Sequence, residues 1–180
     1  MRLFVAAEIP EGCCDALCET SALLRSSVRG RYVGSDLFHV TLAFLGEVSA
    51  ARVDDVARLM REGCEGIAPF RTTLGALGTF GRSSSATLWQ GFCEGRDEWE
   101  ALAQGVRTAL REDDFVIDEK GFIPHVTLMR RADVGRGLLP MPCVDGGIVR
   151  EVTLYSSDLS GDRPHYEALE YVELRGIWDA

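Results

Sequence analysis

Phe38-His39-Val40-Thr41-Leu42-Ala43-Phe44-Leu45-Gly46 alternates in the period-2 manner of a β-strand, and its inner four residues, His-Val-Thr-Leu, recur at His125-Val126-Thr127-Leu128. Side chains at i and i+2 share one face of a strand. His39 and Thr41 therefore project together, as do His125 and Thr127. Val40, Leu42 and Phe44, and Val126 and Leu128 in the second copy, face the other way and anchor each strand in a core. The chain has only three histidines, so two of them sit in identical surroundings. Two such strands laid side by side offer two imidazoles and two hydroxyls to one cavity. The duplication predicts two similar lobes related by a pseudo-two-fold axis, each supplying one strand to a shared cleft.

Outward from these strands, residues 2–8 read as a first strand, and Pro10 with Glu11 opens a helix through about Val28. A short link with Gly30 and Gly34 leads to the first motif. An amphipathic helix runs from Ser49 or Ala50 to about Gly63, with Val53, Val56, Ala57 and Met60 on one face. Residues 70–77 and 86–92 read as strands around a turn at 81–85, and 98 to about 111 as a third helix carrying Trp99, Leu102, Val106 and Leu110. Residues 122–129 hold the second motif strand. A loose Gly- and Pro-containing stretch, 135–147, precedes two closing strands at about 148–157 and 166–175. Strands outnumber helices and several are joined by short links. This predicts an α+β fold with antiparallel sheets and flanking helices, organised as one bilobal domain over 1–180 rather than a doubly wound parallel sheet.

Size and composition limit the function classes. The 180 residues, 46% hydrophobic and 26% charged, suit a globular protein with a sizeable core. No run of about 18 apolar residues is present, so no membrane-spanning helix is expected. The first ten residues lack the features of a secretory signal, and a cytoplasmic protein is expected. The six cysteines, with no Cys-x-x-Cys pair, read as reduced thiols rather than disulfides or a zinc site. The net charge of −9 excludes a protein that neutralises many nucleic-acid phosphates over a broad basic face. Any RNA must be gripped at an end, by a positive field confined to the site. No obligate protein partner is implied, and a monomer is expected.

A lone histidine on a strand is ordinarily a surface or hydrogen-bonded core residue, and threonine is simply a good strand former. Packing explains the repeated Val and Leu but has no use for two inward polar residues per copy. Histidine titrates nearest neutral pH, so two in one pocket supply an acid and a base at once. Threonine hydroxyls can donate to non-bridging phosphate oxygens. His39, Thr41, His125 and Thr127 are thus the candidate catalytic set. A metal site ranks below this, because zinc takes three or four ligands and no third stands at a recognisable spacing. No cofactor is expected. Arg130, after the second motif, is the first candidate for substrate phosphate; Arg82, in the 81–85 turn, is a second. Arg131 is expected on the other face. Trp89 reads as a half-buried strand aromatic, although it could stack on a base. His165, without a following threonine, reads as surface structure.

The two motifs, 38–46 and 124–130, resemble the paired His-x-Thr motifs of the two-histidine phosphoesterase superfamily, in particular its bacterial RNA 2′,3′-cyclic phosphodiesterase branch, also called 2′-5′ RNA ligase. Arg2-Leu3-Phe4-Val5-Ala6-Ala7-Glu8-Ile9-Pro10, Gly78-Thr79-Phe80, Leu88-Trp89 and Leu154-Tyr155-Ser156-Ser157-Asp158-Leu159 share the likeness, which covers nearly the whole chain. The resemblance implies a bilobal α+β fold with the active site between the lobes. It implies metal-independent hydrolysis of RNA 2′,3′-cyclic phosphodiester ends, or of nucleoside 2′,3′-cyclic phosphates, to 2′-phosphomonoesters by His39, Thr41, His125 and Thr127. The working assignment takes His125 as base and His39 as acid. Ala43 stands where relatives often carry a basic residue, and Gly81 to Ser85 where they often have a Pro- and Arg-rich turn. The competing readings are 2′-5′ ligation of RNA ends by the same residues and non-catalytic binding of RNA ends.

Overall fold

The computed structural model describes residues 1–135, 137–161 and 163–176. Nine strands and three helices follow in the order β1 (Arg2–Ala7), α1 (Glu11–Leu24), β2 (Arg29–Tyr32), β3 (Val40–Glu47), α2 (Val53–Gly63), β4 (Phe70–Phe80), β5 (Ala86–Glu94), α3 (Arg96–Glu112), β6 (His125–Asp133), β7 (Gly146–Val149), β8 (Glu151–Asp158) and β9 (His165–Glu173). They form two antiparallel sheets, one ordered β3-β1-β8-β9 and the other β2-β6-β5-β4-β7. The fold is α+β and two-lobed, as the motif duplication implies. Each sheet counts four strands from its motif strand, β3-β1-β8-β9 and β6-β5-β4-β7, and β2 is an extra strand laid outside β6.

The helices bury apolar stripes against these sheets. Trp99, near the start of α3, is fully buried. It packs edge-on to Phe70 of β4 at 5.0 Å and against Phe92 of β5 at 5.2 Å, and donates its indole N–H to Thr72 Oγ1 at 2.9 Å. Further along α3, Arg107 reaches the other sheet. Its Nε donates to Leu42 O on β3 at 2.8 Å, and a terminal nitrogen donates to Lys120 O at 3.0 Å. One helix thus spans both lobes. It also completes the outer edge of β3, an edge strand whose carbonyls would otherwise need water; Phe44 O there accepts Asp118 N–H at 3.2 Å. The α2–α3 crossing is close because Gly63 and Gly105 meet there. A Cβ on Gly105 would overlap the Gly63 carbonyl.

Three elements differ from the sequence reading. Helix α1 stops at Leu24, whose carbonyl accepts from Ser27 and Val28 in a closing turn, and the link expected near Gly30 contains strand β2. The closing strand expected at 148–157 is two strands. Arg150 alone separates β7 from β8, which lie in different sheets. The stretch 135–147 is not entirely loose: Gln90 donates to Cys143 O at 2.8 Å, and Cys143 N–H donates to Thr20 Oγ1 at 2.9 Å. All six cysteines are free. No helix among the described residues is long and apolar enough to cross a membrane.

Candidate active site

His39 immediately precedes β3 and His125 opens β6. Both rings are held the same way. His39 Nδ1 lies 2.8 Å from Leu37 O, and His125 Nδ1 lies 2.6 Å from Ile123 O. A carbonyl can only accept, so each Nδ1 carries a proton and each Nε2 is left for the cleft. Thr41 Oγ1 stands 3.0 Å from His39 Nε2 and donates to it when the ring is neutral. His39, Thr41, His125 and Thr127 line one cavity of about 330 Å³, together with Arg130. Both imidazoles are only half-buried, so no aliphatic layer closes over either. Among the described residues no group of three or more His, Cys, Asp or Glu side chains could hold a metal ion.

Strand alternation alone does not put Arg130 in that cavity. By period 2 it would share the face of Val126 and Leu128. A β-bulge reverses it. Across the β5–β6 pair, Thr127 faces Trp89 and Met129 faces Leu88, so Leu128 has no partner. Leu128 and Met129 are consequently both buried, and Arg130 turns out to the cleft. The first motif does the same. Thr41 pairs with Ala6 and Ala43 with Val5, so Leu42 is skipped. Leu42 and Ala43 are both buried and Phe44 turns to the cleft wall. This corrects the expectation that Phe44 packs in the core. In each lobe the residue five positions after the histidine is rotated to the cavity by an extra residue in the ladder.

The cleft walls concentrate positive charge. Arg31 of β2 pairs directly across from Arg130 of β6, and both line the cavity. Like charges opposite one another on a sheet repel, and an anion between them relieves the repulsion. Arg31 was hidden in sequence because β2 reads as a link. Arg163, paired with Asp36 at 3.3 Å, stands at the rim. A second cavity of about 350 Å³ shares His39, Thr41, Arg31 and Arg130 and extends along the β3-β1-β8-β9 sheet to Arg2 and Ser157. No described residue lining either cavity is acidic, in a chain with 28 acidic and 19 basic side chains. Arg82 lies outside both cavities, exposed on its turn. Arg131 is exposed at φ 51°, and His165 is exposed at the start of β9.

Burial favours the neutral form of both rings. Burial pushes the His39 pKa down to about 4, against the pull of the Leu37 carbonyl, and the Arg130 and His125 charges push it further. Burial likewise lowers His125, with Arg130 adding to the effect and the Ile123 carbonyl opposing it. Aromatic rings supply much of the desolvation. Phe4 and Tyr166 lie 5.1 and 5.6 Å from His39; Phe80 and Trp89 lie 5.1 and 5.6 Å from His125. Trp89 lies across Gly78 on the neighbouring strand, where any Cβ would overlap the indole. It therefore serves as packing beneath His125, in line with the half-buried strand aromatic expected.

The sequence model of the 2′-5′ RNA ligase superfamily matches residues 15–135. A Thermus thermophilus protein named RNA 2′,3′-cyclic phosphodiesterase is 32% identical over 183 residues, covering 98% of this chain and 91% of that relative. A Geobacillus stearothermophilus protein of the same name is 29% identical over 98% of this chain, which spans 58% of that relative's length. Among solved structures, E. coli LigT complexed with 3′-AMP superposes with a TM-score of 0.80 at 29% identity, covering 96% of this chain and 97% of LigT.

Proposed function

The chain belongs to the 2′-5′ RNA ligase superfamily, and from that membership we propose that it hydrolyses RNA 2′,3′-cyclic phosphodiester ends to 2′-phosphomonoesters by paired imidazole catalysis. The carrying observation is the matched tethering of the two rings. Each Nδ1–H is fixed on the carbonyl two residues upstream, so two Nε2 atoms are the groups offered to one cavity whose described lining holds no acidic side chain.

A cyclic phosphate diester carries one negative charge, and its arrival raises both imidazole pKa values. One ring stays neutral and takes a proton from the attacking water; the other, protonated, gives its proton to O3′ as the P–O3′ bond breaks. Thr41 and Thr127 donate to the non-bridging oxygens, where charge builds in the transition state, and the guanidinium of Arg130 offers a planar fork to the same oxygens. The sides of the cleft support one assignment of the roles. The cavity arm lined by His39 and Thr41, and not by His125 or Thr127, has Phe44 and Tyr166 as walls on which a nucleoside can lie. With the ribose there, O3′ leaves toward His39. His39 is then the acid and His125 the base. Taken alone, the deeper depression of His39 would favour the opposite assignment. A low pKa also makes His39 a ready proton donor once the bound anion has charged it.

The test is hydrolysis of an oligonucleotide ending in a 2′,3′-cyclic phosphate, with EDTA present. His39→Ala and His125→Ala should each lower kcat by about 10²–10⁴-fold while the melting temperature stays close to that of the parent. The product should carry a 2′-phosphate. Undiminished hydrolysis by either variant refutes the assignment.

A further inference from the structure

The cavity on the His39 side continues past the four motif residues and ends at Arg2. Arg2 opens β1, and its guanidinium carbon stands 4.6 Å over the centroid of the Phe44 ring, the ring that the bulge in β3 turns outward. A guanidinium held over an aromatic face by its charge still has N–H donors at its edge to offer an anion. The carboxylate across the ladder belongs to Glu47, and it is taken by the N-terminal ammonium at 3.2 Å. Among the described residues no carboxylate pairs with Arg2, although acidic side chains outnumber basic ones in the chain. Phe44 lies three residues beyond Thr41, about 10 Å along a strand. Arg2 and Thr41 therefore line one cavity, with a nucleoside-sized stretch of its wall, including Phe44, between them.

We propose that Arg2 binds the phosphate on O5′ of the nucleotide whose cyclic phosphate is opened, so that the cleft holds one phosphate on each side of a single ribose. The proposal rests on the cyclic phosphodiesterase reading above and narrows its substrate class to nucleotides phosphorylated on O5′. That phosphate is either a 5′-monophosphate or the phosphodiester of a longer RNA. Arg31 and Arg130 grip the reacting phosphate, and Phe44 supports Arg2 beside the nucleoside. Arg2 is thereby a specificity residue rather than a participant in bond cleavage.

Binding decides the proposal without turnover. Adenosine 2′-monophosphate and adenosine 2′,5′-bisphosphate are titrated into the parent protein, Arg2→Gln and Arg2→Lys, with melting temperatures recorded for each. A charge-assisted contact predicts about tenfold tighter binding of the bisphosphate by the parent, with a salt slope steeper by about 0.7. The preference should vanish in Arg2→Gln and survive in part in Arg2→Lys. Equal affinities in the parent, or a preference that persists in Arg2→Gln, overturns it. Hydrolysis tests the underlying reading separately. The substrates are adenosine 2′,3′-cyclic phosphate, its 5′-monophosphate, and dinucleotides ending in a cyclic phosphate with either a phosphodiester or an uncharged methylphosphonate link. A phosphodiester favoured over the methylphosphonate identifies an RNA chain as the source of the bound phosphate; a preference confined to the 5′-monophosphate identifies a mononucleotide. If the parent opens none of these rings, the enzymatic reading fails while the titrations still decide Arg2.

Discussion

His39 and His125 couple anion binding to protonation. Burial holds both below the ordinary histidine range, His39 at about 4. An anion between them stabilises the charged rings, so binding takes up protons. The affinity for sulfate, whose own charge is constant over the range, should rise as pH falls from 8 to 5, by about tenfold for each proton bound per pH unit. Calorimetry in buffers of different ionisation enthalpy should show proton uptake, and a pH-independent affinity would contradict the coupling. The same shift acts on folding. Between the unfolded value of about 6.5 and the folded value of about 4, the unfolded chain binds a proton that the folded one rejects. The His39 contribution to stability therefore falls as pH drops through that window and is constant below it.

Packing at single elements sets where these rings stand. Helix α3 is anchored under one sheet by Trp99 and tied to the other by Arg107, whose two hydrogen bonds join the first motif strand to the segment leading into the second. Its crossing with α2 has no space for a methyl group. Gly105→Ala removes a helix-weakening glycine, a gain of about 1 kcal/mol. It also forces a Cβ into the Gly63 carbonyl, and such overpacking costs about 1–3 kcal/mol. The backbone on the far side cannot yield as a flexible side chain would, so the loss should win. Thermal melting should show Gly105→Ala several degrees below the parent, and a higher melting temperature would show the crossing to be slack. The motif strands themselves were legible from period 2, because their Val and Leu faces are buried as the pattern requires. The bulges were not. Skipping Leu42 and Leu128 depends on how β1 and β5 pair with them, which the sequence of β3 or β6 alone does not record. Phe44 was misplaced for that reason. Arg31 is not legible because a short, mostly exposed segment containing Gly30 and followed by Gly34 looks like a link until a neighbouring strand pairs with it.

Over the whole molecule, net charge and local charge part company. The chain carries −9, yet the described walls of the cleft hold arginines and no carboxylate. Composition argues against a broad basic face, and it does not report the field inside the pocket, where low-dielectric walls focus potential. The two-lobed α+β architecture followed from the motif duplication and the strand count, but the strands of each lobe did not. Successive strands change sheet between β1 and β2, β2 and β3, β3 and β4, and β7 and β8, the last through Arg150 alone. The β3-β1-β8-β9 sheet is drawn from the two ends of the polypeptide, and the other sheet takes β2 from between β1 and β3. The halves are laced together like the two sides of a boot, so neither should melt by itself. Calorimetry should record one transition whose van't Hoff and calorimetric enthalpies agree, and two resolved transitions would show that the lacing does not hold.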